Sequence, residues 1–490
     1  MNVLLVYPEY PKTFWSFKYV LSYVLKKAAY PPLGLLTIAS MLPKEWKKRL
    51  IDCNVKKLAK SDIAWADMVF VSAMIAQKSS VVELTKIFRT EGKLVVAGGP
   101  LFTSSVEEFE NIDHFVLNEG EVTLPLFLED LKLGCPKKIY QSDVRPDVTK
   151  TAIPMWSLID MRKYHSMLIQ FSRGCPFNCE FCGIIAMNGR EPRTKSSGQV
   201  IAELDSLYRA GWRGSVFFVD DNFIGNRAKV NEVLKHIIEW QRNHRFPFVF
   251  MTEASLNLAN DDEIMHLMSQ ANFDSVFIGI ETPCIESLKE CGKHQNVNVD
   301  VAQAIKKIHK RGMQVLGGFI LGFDSDNDSI FQTQIDFIQK IGVAMAMVGL
   351  LNALPNTRLW YRLKEEGRLT GATSGENTDG SMNFIPRMGE DKLKKGYRKV
   401  LNTIYCPKSY FQRVSKFLSD YKPTAKTEIK PAQVYAFVRS IWSIGILSRA
   451  RFRYWKILIN TMLFNFRALP AAITLSIFWL HFSKVAHNIE

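Results

Sequence analysis

Phe171-Ser-Arg-Gly-Cys-Pro-Phe-Asn-Cys-Glu-Phe-Cys-Gly183 decides how this protein is read. It carries Cys175, Cys179 and Cys182, a C-x3-C-x2-C triplet with the aromatic Phe181 directly before its last cysteine. Three thiolates on one tight loop suit a 4Fe-4S cluster with three protein ligands, which leaves one iron open to a small molecule; a four-cysteine site leaves none. A structural zinc needs a fourth ligand nearby, and the nearest candidate, His165, precedes the triplet. A partial zinc site and three unrelated core cysteines are the plainer alternatives, and the spacing disfavours both.

The protein around this stretch has 490 residues, enough for roughly two to four domains, and is 47% hydrophobic, which supports substantial cores. The other cysteines, at 53, 135, 284, 291 and 406, are scattered, unlike a secreted disulfide framework. Cys284 and Cys291 read as structural, since a second cluster needs more cysteines. Residues 1–8 read as a strand and not as a secretory leader. A reducing cytoplasm is therefore the expected compartment, and it suits an oxygen-sensitive cluster. The formal charge of +15 favours an anionic partner such as nucleic acid, a membrane surface or a phosphorylated substrate, or is simply solvated lysine. No nucleic-acid-binding motif is present, so nucleic acid is not an expected partner.

From residue 165 onward, short apolar runs alternate with helical segments. The expected strands are 167–171, 215–219, 248–252, 275–280, 314–321 and 345–351, with helices such as 198–210, 228–242 and 299–311 between them. Six βα units over 165–360 predict a partial parallel barrel with its site at the carboxyl-end loops. Polar groups stand there: Asp220 and Asp221 after the second strand, Glu253 after the third and Glu281 after the fourth, with Gly317 and Gly318 in the fifth. Asp221 alone also reads as a helix N-cap. Asp220, Glu253 and Glu281 together predict three carboxylates converging on one mouth.

Residues 1–140 show the same alternation, with strands at 3–7, 49–52, 68–73, 94–98 and 114–117 and helices at 32–42, 79–90 and from 122. This predicts an α/β doubly wound parallel sheet with helices on both faces. Ligands of such sheets lie beyond the strands' carboxyl ends, here Tyr7-Pro8, Ser72-Ala73-Met74, Gly98-Gly99-Pro100 and Asn118-Glu119-Gly120. Gly98 and Gly99 would let a large ligand approach the backbone, although Gly-Gly-Pro is also an ordinary turn. P-loop and G-x-G-x-x-G spacings are absent, which disfavours a nucleotide phosphate site. Residues 141–164, polar and carrying Pro146 and Pro154, read as a linker.

Residues 361–490 read as a helical C-terminal region. A Gly, Ser, Thr and Asn-rich loop at 371–386 is placed to cover the barrel mouth, and helices follow at 392–405 and 408–421. The last stretch, 454–482, is apolar and aromatic, and its charge-free run 468–482 is shorter than the roughly 20 residues of a spanning helix. Arg449, Arg451, Arg453, Tyr454, Trp455 and Lys456 leave two readings open: a helix on an anionic membrane surface, or a helical hairpin packed on the barrel.

The cysteine loop with its aromatic resembles the radical S-adenosylmethionine (radical SAM) superfamily. With the sheet domain before it and the segment Tyr30-Pro-Pro-Leu-Gly-Leu35, the protein resembles the cobalamin-dependent members of that superfamily. Thr13-Phe-Trp-Ser-Phe17, Ala97-Gly-Gly-Pro-Leu-Phe-Thr103, Phe218-Val-Asp-Asp-Asn-Phe223 and Asn377-Thr-Asp-Gly-Ser-Met382 resemble the group with an extra C-terminal region, to which hopanoid C-2 methylases belong. The resemblance implies three cofactors: a 4Fe-4S cluster on Cys175, Cys179 and Cys182, S-adenosylmethionine, and cobalamin. It implies that Phe181, Asp220, Glu253, Glu281, Gly317 and Gly318 contact S-adenosylmethionine. It puts Ser72, Gly98, Gly99, Pro100 and Glu119 near the corrin and its nucleotide tail. The D-x-H-x-x-G motif of histidine-ligated cobalamin is absent, and His114 is the one histidine of this half. Cobalamin without a histidine on its lower face is therefore expected. The implied reaction moves a methyl group from S-adenosylmethionine through methylcobalamin to an unactivated carbon, of a small molecule or a hopanoid-like lipid. It needs a low-potential electron donor of flavodoxin or ferredoxin type. Oxidative cyclisation and methylation of a carbon in a peptide are the alternatives within the same fold. A peripheral position on the inner face of the membrane follows if the apolar tail lies on lipid.

Overall fold

The structure is a computed structural model that describes residues 1–376, 378–426 and 429–489. The first sheet contains β1 (Asn2–Tyr7), β2 (Lys47–Asp52), β3 (Met68–Ser72), β4 (Leu94–Gly98), β5 (His114–Val116) and the short β6 (Ile139–Tyr140), which the sequence pattern did not announce. All pairs are parallel in the order β2-β1-β3-β4-β5-β6. Alternate residues of β1 and β3 feed two cores. Leu4, Val6, Val69 and Val71 pack on one face, and Val3, Leu5, Met68 and Phe70 on the other. Burial on both faces is why these strands are continuous apolar runs. The order reverses beside β1, the switch point at which such sheets bind ligands.

The second sheet contains β7 (Ser166–Ile169), β10 (Gly214–Phe218), β11 (Phe248–Ala254), β12 (Phe273–Glu281), β13 (Gln314–Leu321) and β14 (Met345–Leu350). All are parallel and follow one another in sequence order, an open six-stranded barrel. The first strand ends at Ile169, two residues earlier than its apolar run. There the backbone leaves the barrel for an antiparallel ribbon of β8 (Ser172–Arg173) and β9 (Arg193–Thr194). Residues 141–164 do not hang free between the sheets. Trp156 is buried with its Nε1 donating to Ser206 Oγ (3.1 Å), and buried Tyr164 donates to Asp52 at the end of β2 (3.0 Å).

The C-terminal region forms helices Glu390–Tyr405, Pro407–Asp420, Pro431–Ser440, Arg451–Phe464 and Leu469–His487. The last of these is packed into the molecule. Phe482 lies against Tyr405 and Phe14 with ring centroids 5.3 and 5.6 Å apart, and His481 Nε2 meets the Phe14 carbonyl at 3.0 Å. Among the described residues one helix, Phe466–His487, is long and apolar enough to cross a membrane by length and composition. Its apolarity is that of a core helix, so the packed reading holds for it. The loop 371–386 bridges the two sheets. Asn383 exchanges hydrogen bonds with Ala353 beyond β14 (2.8 and 2.9 Å), and Gly375 lies against Ile75 beyond β3. Asn377 of that loop lies outside the described residues.

Arg413 locks this layer to the barrel. It is fully buried, donates to the carbonyls of Val343, Ile404 and Ala344 and to Gln339 Oε1, and lies between the rings of Tyr405 and Tyr410. Arg413→Ala strips several buried acceptors of their donors at once, and each orphaned group costs about 1–3 kcal/mol. We therefore predict a loss of about 3 kcal/mol or more, read as a lower denaturant midpoint. Retention of the wild-type midpoint contradicts the locking role.

Candidate functional site

The cysteine loop is anchored on every side. The β8–β9 ribbon closes its base, and Gly174 turns the backbone with φ +100, where a Cβ would stand 2.6 Å from the Glu191 carbonyl. Gly174 N and Asn188 Nδ2 both donate to Asp221 Oδ2 (2.7 and 2.9 Å). Asp221 is thus no helix cap; Asn226 caps the next helix. Further along, Glu180 N donates to the Cys291 carbonyl (2.8 Å), and the Glu180 carboxylate takes two bonds from Arg362 (2.7 and 3.2 Å). Asn222 Nδ2 stands 3.8 Å from Cys175 Sγ, and Gln295 Nε2 3.8 Å from Cys179 Sγ. Burial pushes the Cys182 thiol up to about 12 and raises that of Cys175. Among the described residues no three His, Cys, Asp or Glu side chains are arranged for a single metal ion. A soft three-thiol set spread along one loop fits a polynuclear cluster, in which each sulfur takes its own iron. The Cys291 thiol is turned away to the Leu288 carbonyl (3.6 Å).

The three expected carboxylates take different parts. Asp220 is 1% exposed and accepts from Phe171 N (3.3 Å), Ser172 N and Ser172 Oγ (2.6 Å). Burial raises its pKa to about 7. This carboxylate fastens the backbone that enters the cysteine loop. Glu253 is pushed up to about 8, chiefly by burial, with Asp221 and Asp220 adding to it. Among the described residues no side chain hydrogen-bonds its carboxylate. It pairs in register with Phe277 on the lumen face of the barrel. Glu281 closes β12 at a bulge, with a left-handed φ of +67, a conformation costing on the order of 1–3 kcal/mol for a side-chain-bearing residue. Its carboxylate pairs with buried Lys293, and a Cβ on Gly279 would collide with both partners. Burial opposes the Lys293 charge, but Glu281 and then Cys179 outweigh it, so the ammonium is held well charged beside the cysteine loop.

Strand alternation divides the glycine pair in β13. Gly318 lies beside Gly279 and Phe277 on the lumen face, whereas a Cβ on Gly317 would strike Phe319 and Ile280 beneath the helices. A Cβ on Gly318 would stand 2.8 Å from the Phe277 ring, so at both glycines the room is taken by an aromatic side chain of the protein. The Phe181 ring packs beside Phe323, centroids 6.2 Å apart. Two aromatics from the first half also reach the barrel. Trp15 lies 5.1 Å from Phe277 and stacks on Phe217 at 6.2 Å, and Tyr30 lies 5.5 Å from Phe217.

At the carboxyl edge of the first sheet, Gly98 and Gly99 make room for protein atoms. A Cβ on Gly98 would stand 2.7 Å from the Val116 carbonyl, and one on Gly99, at φ +93, 2.6 Å from Ser72 Oγ. Pro100 then opens the short helix Pro100–Ser105. Next to them Asn118 Oδ1 is buried without a hydrogen-bond partner among the described residues, an acceptor that fits a polar ligand at this edge. Glu119 faces the other sheet: its carboxylate binds Arg173 (2.6 Å) and Arg193 (2.7 Å), while Glu121 binds Arg173 (2.7 Å). Burial alone would raise the Glu121 carboxyl, and Arg173 more than reverses it, holding it below the usual range. His114 is away from this edge, its Nδ1 engaged by the Lys137 carbonyl (2.6 Å).

Family models match the protein in three parts: a B12 binding domain over 27–128, the radical SAM superfamily over 169–338, and a domain of unknown function, DUF4070, over 357–490. An uncharacterized methyltransferase of Synechocystis is 44% identical over 93% of this chain and 86% of its own length. A hopanoid C-2 methylase of Rhodopseudomonas palustris is 34% identical over 94% of this chain and 89% of its own. The chain belongs to the cobalamin-dependent radical SAM methyltransferase family. The solved structure of the cobalamin-dependent S-adenosylmethionine radical enzyme OxsB shares its fold, with TM-score 0.65 at 15% identity, covering 99% of this chain and 80% of that one.

This radical SAM methyltransferase accordingly uses a 4Fe-4S cluster, S-adenosylmethionine and cobalamin. Sequence reading passed over four residues that the structure brings to this region: Arg173, Arg193, Lys293 and Trp15. Arg173 stands inside the decisive stretch, and an arginine two residues before a thiolate loop was itself a signal for buried counter-charge. For Asp220→Ala we predict that the protein stays folded by circular dichroism but retains markedly less iron after anaerobic reconstitution and desalting, because the loop loses its anchor. Wild-type iron content in that variant refutes the anchoring role.

Proposed function

We propose that the protein methylates an unactivated carbon of an apolar lipid of the hopanoid class, taking the methyl group from S-adenosylmethionine by way of cobalamin. The observation that carries this reading is the 34% identity to a hopanoid C-2 methylase along nearly the whole length. An apolar substrate is supported by the aromatic side chains Trp15, Tyr30, Phe217 and Phe277, which pack together on the strands beside Glu253. When bound, the cluster with S-adenosylmethionine supplies hydrogen abstraction from carbon, and cobalamin supplies the methyl group.

In this reading the protein's own residues bind, orient and shield. Cys175, Cys179 and Cys182 give three thiolates to the cluster. Phe181 offers its backbone to adenine. Glu253 accepts from the amino group or ribose hydroxyls of S-adenosylmethionine, and Gly317 and Gly318 contribute backbone toward the methionine end. Glu281 keeps Lys293 charged and in place, a cation suited to the methionine carboxylate. Asp220 acts through the loop it fastens. Ser72, Gly98, Gly99 and Pro100 form the cobalamin edge with Asn118, and Glu119 holds that edge against the cysteine loop. The loop 371–386 excludes water from the space between the sheets. Electrons come from a flavodoxin or ferredoxin-type donor, in a reducing cytoplasm.

The test is label transfer in anaerobically reconstituted protein with methyl-labelled S-adenosylmethionine, reductant, cobalamin and a hopanoid. We expect labelled methyl in the lipid with wild type. With Cys179→Ala we expect no methylation and a loss of iron and of the brown absorbance. Unlabelled, cyclised product, or label only in a peptide, overturns the lipid methylation; full activity in Cys179→Ala overturns the cluster assignment.

A further inference from the structure

The segment from Ile429 to Ile489 holds eight Lys and Arg and no Asp or Glu, more than half of the net +15. The same segment concentrates exposed apolar surface. Of twenty-seven exposed large apolar side chains among the described residues, fourteen lie between Ile429 and Phe466. Helix Arg451–Phe464 shows how they are arranged. Tyr454, Ile457, Leu458 and Thr461 face the protein, while Phe452, Trp455, Ile459 and Leu463 follow at helical spacing on the outward side. Phe452 is 75% exposed and Phe464 85%. Trp455 Nε1 donates to the Gly445 carbonyl (3.0 Å), so Trp442, Ile446 and Leu447 of the preceding segment adjoin the stripe. Arg449, Arg451, Arg453, Lys456 and Arg467 border it, all exposed and without an ion-pair partner among the described residues.

We infer that this face docks on the surface of an anionic lipid bilayer, with the aromatic stripe in the headgroup region and the arginines on lipid phosphates. A second protein of ordinary surface would leave five cations uncompensated, and a neutral bilayer would leave them unmatched. An anionic bilayer satisfies both the apolar stripe and its basic border. Two packed features hold the face in place. Helix Leu469–His487 is core and stays out of the bilayer. Helix Pro431–Ser440 is tied to the first half by Arg439, which donates to the Ser22 carbonyl (2.9 Å) and lies over the Tyr23 ring. The inference does not rest on the lipid-methylation reading, since docking needs no turnover.

The test is flotation of the full-length protein, loaded with its cofactors, with vesicles of phosphatidylcholine alone or mixed with phosphatidylglycerol. We expect at least about tenfold stronger partition onto the mixed vesicles, falling steeply with added salt. The triple variant Phe452→Ser/Trp455→Ser/Phe464→Ser should lose most of that partition while keeping its circular dichroism and cobalamin content. Arg449→Gln/Arg451→Gln/Arg453→Gln should erase the preference for anionic lipid. Truncation from Pro431 is no test, because it removes a core helix. Absence of wild-type binding, equal binding to both vesicle types, or self-association that the triple variant abolishes without any vesicle binding overturns the proposal; the last result would assign the face to a second copy. The salt dependence of the wild type decides the matter even if both variants misfold.

Discussion

Arg173 lies between Glu119 and Glu121, with Arg193 on the far side of Glu119, and all four side chains are largely removed from solvent. The acids belong to the carboxyl edge of one sheet and the arginines to the ribbon that carries the cysteine loop of the other. Such a cluster is weak evidence for stability, because desolvation offsets much of its attraction, yet removing one partner costs about 3–5 kcal/mol. Its value is geometric. Forked guanidinium bonds tolerate little rotation, so the two sheets are held edge to edge in one orientation. Because Arg173 precedes Cys175 by two residues, the same side chain sets the distance from the first sheet's edge to the thiolates.

That constraint would be lost on a mobile loop. The cysteine loop instead receives its rigidity from the strand that ends beside it. Asp220 and Asp221, just beyond β10, accept hydrogen bonds from the backbone N–H groups of Phe171, Ser172 and Gly174. On the other flank Cys291 and Arg362 hold Glu180. The loop that carries the three thiols is thus held by the scaffold on both flanks, which is what a site needs if ligand geometry is to be set by the fold.

The architecture was legible because both sheets are parallel and largely removed from solvent, so that each strand except the short β6 announces itself as a short apolar run. The carboxyl-end residues of the barrel were legible for the same reason, as polar interruptions. Their division of labour was not. Nothing local distinguishes Asp220, which bonds to the backbone, from Glu253, which no side chain among the described residues holds, because the difference lies in residues some fifty positions away in sequence. The glycine pairs misled for a related reason. A missing Cβ reads as space for a ligand, but at Gly98 and Gly99 the space belongs to Val116 and Ser72, and at Gly317 and Gly318 to Phe319 and Phe277. Trp15 was visible as part of a motif, but its seat against Phe217 and Phe277 depends on a strap that crosses from one half to the other.

The apolar tail shows how composition underdetermines place. Helices Arg451–Phe464 and Leu469–His487 are both greasy, yet their polar atoms separate them. Along the second helix Trp479 Nε1 meets the Tyr405 carbonyl (3.0 Å), the Leu475 carbonyl accepts from Tyr410 (2.7 Å), and His481 meets Phe14. These are tertiary bonds to specific partners, and transfer of that helix into lipid would break each of them with no water to take their place. On the outer side of the first helix, among the described residues, Trp455 Nε1 meets the nearby Gly445 carbonyl (3.0 Å) and the neighbouring exposed side chains have no hydrogen-bond partner. Its exposed residues are chiefly apolar side chains and the cations Arg451, Arg453 and Lys456, which suit a fluid anionic surface. The fold therefore assigns one helix to the core and leaves the other's outer face for contact outside the molecule, a division set by hydrogen bonds that hydropathy alone does not register.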